Sequence, residues 1–297
     1  MDELICVDHL QKRYGSTTAV DDVSFRVAEG EVVGLLGRNG AGKTTTIEIL
    51  EGFRTPSAGM VRVLGRDPAR GGRRLKNRVG IVLQSAGIDA TLSVKEVVGL
   101  YASFYRPRRR VDDVLDEVNL EASARVRVAQ LSGGQRRRLD LALALAGSPK
   151  VLFLDEPTTG LDPAARHRTW DVINRLRERG VAILMTSHYL DEVQHLADRV
   201  VVLHLGRVVA DGPPEHLRSE MRPMTVISFR LSVRLELPDG PWECGTNDLP
   251  ATTLFTDQPT EAIRILASWA SSQGLELEEL EMHPPSLEDA YLELTTD

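Results

Sequence analysis

At 297 residues the chain has room for two domains, and its hydrophobic and charged fractions, 42% and 27%, are those of an ordinary globular protein. No run of 18 or more apolar residues occurs, so no membrane-spanning helix is expected, and Cys6 and Cys244 have no metal-ligand spacing. The acidic opening Met1-Asp2-Glu3-Leu4 lacks a signal-peptide pattern, which predicts a cytoplasmic protein with both thiols reduced. The net charge of −7 is uneven: residues 218–297 carry 5 Lys/Arg against 15 Asp/Glu, and residues 1–217 carry 31 against 28. The change comes near Gly212-Pro213-Pro214. Domains at 1–217 and 218–297 are therefore expected, and the acidic second half argues against nucleic-acid binding.

Residues 4–10 and 22–28 alternate and predict strands around a turn at Tyr14-Gly15. The face of Tyr14 suits a purine base, although aromatics more often serve as core or surface filler. Val32-Val33-Gly34-Leu35-Leu36 predicts a buried strand, and residues 45–50 predict a helix. Between them, Gly37-Arg38-Asn39-Gly40-Ala41-Gly42-Lys43-Thr44 fits G-x-x-x-x-G-K-[ST], the phosphate-binding loop. Its glycines let backbone N–H groups turn toward a polyphosphate, and the helix N-terminus adds partial positive charge. Lys43 suits the β- and γ-phosphates, and the Thr44 hydroxyl suits Mg²⁺.

Further along, residues 55–59 predict a turn, Val61 and Val63 a strand, and the Arg- and Gly-rich residues 66–78 a solvated surface segment. Val79 to Leu83 predicts a short buried strand with Gln84 at its end, where ligands bind in α/β sheets. A solvated loop glutamine is the plainer use of that residue. Residues 92–104 and 111–120 predict helices separated by Arg106-Pro107-Arg108-Arg109-Arg110, a basic run best read as a solvated turn.

Leu131-Ser132-Gly133-Gly134-Gln135 follows, then Arg136-Arg137-Arg138 and a helix over 139–146. A Ser-Gly-Gly turn opening a helix is a second anion-binding geometry. It does not reach the same phosphate from the same side as the first loop, so the economical assignment is a nucleotide held by another subunit. Val151-Leu152-Phe153-Leu154-Asp155-Glu156 is an apolar strand ending in two acids. Asp155 suits the Mg²⁺ shell, and Glu156 suits polarisation of an attacking water; a surface cap is the plainer use of such a pair. A turn at 158–163, a helix over 164–179 and a buried run over 181–185 lead to Thr186-Ser187-His188. A lone histidine is usually structural, but at a strand's carboxyl end His188 suits a γ-phosphate. Helix 190–197 and strands 200–205 and 208–210 follow.

In this order the motifs of residues 4–217 resemble the nucleotide-binding subunit of an ABC transporter. They are Walker A at Gly37–Thr45, Gln84, LSGGQ at 131–135, Walker B at 151–156, the LDP turn at 161–163, and His188. The resemblance implies an α/β P-loop NTPase with a RecA-like core, an antiparallel β subdomain and a helical subdomain near 86–148. It implies that Tyr14 stacks on adenine, that Gly37, Asn39, Gly40, Ala41, Gly42, Lys43, Thr44 and Thr45 hold the phosphates, and that Thr44, Gln84 and Asp155 serve Mg²⁺. It also implies that Gln84 senses the permease, Glu156 is the catalytic carboxylate and His188 holds the γ-phosphate. Ser132, Gly133, Gly134 and Gln135 would meet ATP across a head-to-tail dimer of two copies, with Asp162 at the seam.

Residues 158–163, 187–193 and 284–295 extend the resemblance to drug-export ATPases that pair with ABC-2-type permeases, such as those of daunorubicin resistance. The chain departs from the family at Arg38, where proline is usual, and at Leu83-Gln84-Ser85, where Pro-Gln is common. Ribosome-type relatives usually carry two cassettes and repair-type ones interrupt theirs with a coiled coil. One uninterrupted cassette here predicts a transporter subunit instead.

In the second half, residues 225–237 alternate cleanly and predict a half-buried strand. Strands over 252–256 and 275–282 and helices over 260–272 and 287–294 complete a small α+β domain. Such a unit is marginally stable alone, so a docking or dimerisation role is expected.

Overall fold

The alternation at the N-terminus becomes two long antiparallel strands, β1 (Glu3–Tyr14) and β2 (Thr17–Ala28), and β4 (Ala58–Val63) pairs with the other edge of β1. The computed structural model describes residues 2–82, 87–187, 189–215, 225–231, 237–248 and 251–283. Its chain divides into two units, Met1–Pro214 and Glu215–Asp297.

The first unit is built on a six-stranded sheet of β3 (Val32–Gly37), β5 (Val79–Val82), β6 (Val151–Asp155), β7 (Ala182–Thr186), β8 (Arg199–His204) and β9 (Arg207–Gly212). The order is β5-β6-β7-β3-β8-β9, parallel except for β9. The runs read as continuous apolar stretches because both faces are covered. In β6, Val151 and Phe153 join one core and Leu152 and Leu154 the other. One core is closed by the antiparallel sheet and by α1 (Lys43–Leu50), through Ile47, Ile49 and Leu50. The other is closed by α3 (Val94–Ser103), α4 (Val111–Glu117), α5 (Gly133–Leu145) and α6 (Pro163–Glu178). The helix that opens at the phosphate loop and the helix that opens at LSGGQ thus lie on opposite faces of one sheet. The short helix α7 (Leu190–Leu196) precedes β8.

Two expectations change. The segment 66–78 is not wholly solvated: it holds the short helix α2 (Gly72–Lys76), whose Leu75 is buried in the core. The helix expected over 139–146 begins six residues earlier, because Ser132 and Gln135 form a reciprocal capping box that starts α5 at Gly133.

The second unit contains β10 (Thr225–Arg230), β11 (Glu243–Asp248), β12 (Ala251–Thr256), α8 (Pro259–Ser272) and β13 (Glu278–His283). The strands form one antiparallel sheet, ordered β11-β12-β10-β13. Ile227, Phe229, Leu231 and Leu254 pack against Ala262 and Leu266 of α8. Strand β11 was not legible in the sequence. The helix expected over 287–294 lies outside the described residues.

Candidate functional site

The carboxyl edge of the parallel sheet gathers the charged motifs. Strands β3 and β6 flank β7, and Leu35 and Asp155 both pair with Thr186, so their ends stand level. After β3 the chain turns through Gly40 (φ +85°) and Gly42 (φ +101°) into α1. At Gly42 an added Cβ would lie 2.5 Å from the Ala19 carbonyl of β2, so only glycine fits this turn. The Ala41 N–H donates to the Arg38 carbonyl at 3.0 Å, and Thr46 Oγ1 to the Gly42 carbonyl at 2.9 Å. Arg38 is exposed and lends the loop a backbone carbonyl, which any residue supplies.

Lys43 arches over this loop, its ammonium donating to the carbonyls of Gly37 and Arg38. Burial pulls the ammonium down from the ordinary lysine range, and the fields of Glu156 and Asp155 oppose that. Both carboxylates of the Walker B end therefore act on the Walker A lysine within one chain. Asp155 Oδ1 accepts from the Thr186 hydroxyl at 2.6 Å. Glu156 takes φ +48°, which turns it away from the strand direction. Its N–H donates to the Thr186 carbonyl at 3.1 Å, and its Oε2 accepts from the Thr159 hydroxyl at 3.2 Å.

At the N-terminus of α5, Ser132 and Gly133 are exposed and Gly134 is buried. Gln135 is occupied within its own chain: Oε1 accepts from the Ser132 N–H at 2.9 Å and Nε2 donates to Ser123 Oγ at 3.1 Å. Asp162 is the N-cap of α6, accepting from the Ala165 N–H at 2.8 Å. Tyr14 stands at the end of β1, 40% exposed, with Lys12 and Arg54 5.2 and 5.5 Å from its ring centre. Gln84 and His188 lie outside the described residues. Next to position 188, the Ser187 side chain is tied to Glu192, which is fully buried. Its carboxylate accepts from Ser187 Oγ at 2.5 Å and from the Trp170 indole at 3.4 Å.

Two features went unread. The basic run 136–138 is not a solvated face: Arg137 and Arg138 are buried, and Arg138 donates to the Asn119 carbonyl at 2.5 Å, closing the end of α4. A groove of about 310 Å³ opens on the far side of α1, between β5, α3 and α5, lined by Phe53, Tyr101, Tyr105, Glu51 and Asp140. Phe53, Leu100 and Phe104 stand 64%, 48% and 57% exposed. Burial, with the fields of Asp155 and Glu48, pushes the Glu51 carboxyl from 4.5 up to about 7. The folded state then holds a proton that the unfolded chain has lost, so stability falls as pH rises from 4.5 to 7. Glu51→Gln is expected to raise stability by on the order of 2 kcal/mol at pH 8 and to change nothing below the lower value, as read by urea unfolding across pH.

The sequence model of the family described as "ABC transporter" matches residues 20–159. The daunorubicin resistance ATP-binding protein DrrA3 of Streptomyces coeruleorubidus is 38% identical over 312 residues, covering 100% of this chain and 97% of that protein. The chain belongs to the ABC transporter ATP-binding proteins. A Nod factor export ATP-binding protein I of Rhizobium johnstonii is likewise 38% identical, over 96% of this chain and 93% of that one. Among solved structures, cbiO1 of Clostridium perfringens, part of an ABC transporter complex, is 29% identical with a TM-score of 0.68. That likeness covers 74% of this chain and 92% of cbiO1. This ABC ATPase hydrolyses ATP to energise a membrane transporter, and among the described residues none of its own helices is long and apolar enough to cross a membrane.

Proposed function

We propose that two copies of this ATPase sandwich two Mg·ATP head to tail and drive an ABC-2-type permease that exports a drug, antibiotic or lipid-like compound. The observation that carries the two-copy reading is the placement of α1 and α5 on opposite faces of one sheet. Lys43 and the exposed turn Ser132-Gly133 cannot then face one phosphate from within a single chain. The export reading rests on the functions for which the two relatives are named, daunorubicin resistance and Nod factor export.

In this reading Gly37, Asn39, Gly40, Ala41, Gly42, Lys43, Thr44 and Thr45 cradle the phosphates, and Tyr14 meets the adenine. Ser132, Gly133 and Gly134 close over the γ-phosphate of the partner's ATP, Gln135 holds their turn in place, and Asp162 lies at the seam. The cradle at Gly42, closed to any Cβ, and the hard oxygen donors of Thr44 and Asp155 fit Mg²⁺ with a polyphosphate. Bound Mg²⁺ neutralises phosphate charge. Glu156 orients and polarises the attacking water, and Gln84 and His188 complete the γ-phosphate end. The protein works in the cytoplasm against the inner face of the membrane.

The groove beside α1 supplies the permease contact. Its exposed Phe53, its half-buried Tyr101 and Tyr105 and its two half-buried acids, Glu51 and Asp140, suit a cytoplasmic segment of the permease that carries apolar and cationic side chains. Co-expression with the permease tests this. Wild-type protein is expected to co-purify with it, and Phe53→Asp to lose it while retaining the ATPase rate of the isolated subunit. Retention of Phe53→Asp on the permease would remove the groove from that role. Co-purification of the wild type with ribosomes instead would overturn the transporter assignment.

A further inference from the structure

Beneath the LSGGQ turn, α5 carries Arg137, whose side chain is buried at 8% exposure. Its Nε donates to the Pro157 carbonyl at 2.8 Å, and its Nη2 donates to the carbonyls of Asp155 at 2.6 Å and Glu156 at 2.9 Å. Its Nη1 stands 3.9 Å from Asp140 Oδ2 on the same helix. One rigid fork thus holds three successive carbonyls at the end of β6. Burial pulls this guanidinium down, while Asp140, Asp155, Glu192 and Glu156 favour its charge.

The segment it holds is the one that needs holding. Glu156 sits at φ +48°, a conformation that costs a non-glycine residue about 1–3 kcal/mol and persists only where the surroundings over-determine it. Thr186 fixes the Glu156 N–H, and Arg137 fixes the carbonyls before, at and after it. Arg137 is also two residues from Gln135, which closes the cap around Ser132. A helix is stiff over one turn, so the exposed N-terminus of α5 and the guanidinium move as one body.

We propose that Arg137 is a positioning residue that couples the two ATP sites of the dimer: when α5 engages the nucleotide of the partner, Arg137 sets the backbone that carries Glu156 at the chain's own nucleotide. This rests on the head-to-tail reading above. A guanidinium that only filled a structural need would leave the chemistry of folded molecules untouched.

The test is steady-state hydrolysis by the full chain with Mg·ATP, beside equilibrium ATP binding and thermal melting. Wild type is expected to show a Hill coefficient above one. Arg137→Gln is expected to lower kcat by about tenfold or more, to keep ATP affinity within about twofold, and to bring the Hill coefficient to one. Arg137→Lys keeps the charge but not the fork; it is expected to lose cooperativity with a smaller drop in kcat, and it carries the test if the Gln variant does not fold. Unchanged kcat and Hill coefficient per folded molecule in both variants would overturn the coupling. So would a lowered kcat with cooperativity retained, or a wild type with none. Failure of the shared-site reading shows up separately, as normal hydrolysis by Gly133→Asp.

Discussion

Glu156→Gln is expected to lower ATP turnover by about a thousandfold while leaving ATP bound and trapping a dimer. The estimate is that of removing a general base, which contributes roughly 10²–10⁴ in rate. The substitution is nearly isosteric, and the contacts that hold the residue survive it. The Glu156 N–H still reaches the Thr186 carbonyl, Arg137 still grips the Glu156 carbonyl, and the Thr159 hydroxyl finds an amide oxygen in place of Oε2. Only the charge goes. Its loss relieves repulsion with Asp155 and with the phosphates, so affinity for ATP should hold or rise. In the proposed head-to-tail reading, closure of two copies depends on intact ATP, so a chain that binds but does not cleave is expected to stay closed. Rapid-quench hydrolysis and size exclusion with Mg·ATP make the check. Brisk turnover with a monomeric profile would take Glu156 out of the catalytic role.

Much of this was legible because the decisive motifs are local. The loop from Gly37 to Thr44 is bounded by its own strand and helix, and Asp155-Glu156 ends a run whose burial is written in four consecutive apolar residues. What escaped depends on partners distant in sequence. The burial of Arg137 and Arg138 could not be read from the run itself because their acceptors, the carbonyls of residues 155–157 and 118–119, are 18 to 20 residues away. Leu75 joins the core from a stretch whose composition is that of a surface loop. Glu243–Asp248 has almost no β-forming side chains, and it is a strand because β12 offers it a ladder. Ser132, Gly133 and Gly134 look alike in the motif, but only the structure separates the two exposed residues from the buried one.

That separation decides how the shared site should be tested, and it picks Gly133→Asp. At Gly134 an added Cβ would lie 2.7 Å from the Cβ of Ala165 on α6, so a side chain there pushes two helices apart before any nucleotide is met. At Gly133 nothing lies within 4 Å. The residue is also the first of α5, where a carboxylate is favoured by the helix dipole by about 0.3–1 kcal/mol. The monomer should therefore keep or gain stability and bind ATP as before, since its Walker A loop lies on the other face of the sheet. In the dimer the same carboxylate would stand against a γ-phosphate. Two unit charges about 4 Å apart repel by about 4 kcal/mol at a near-surface dielectric, which corresponds to a loss of roughly 10³ in closure and hence in hydrolysis. Nucleotide titration of the monomer, thermal melting and steady-state turnover separate these effects. Full hydrolysis by Gly133→Asp would mean that each chain completes its own site and that α5 points at something other than the partner's ATP.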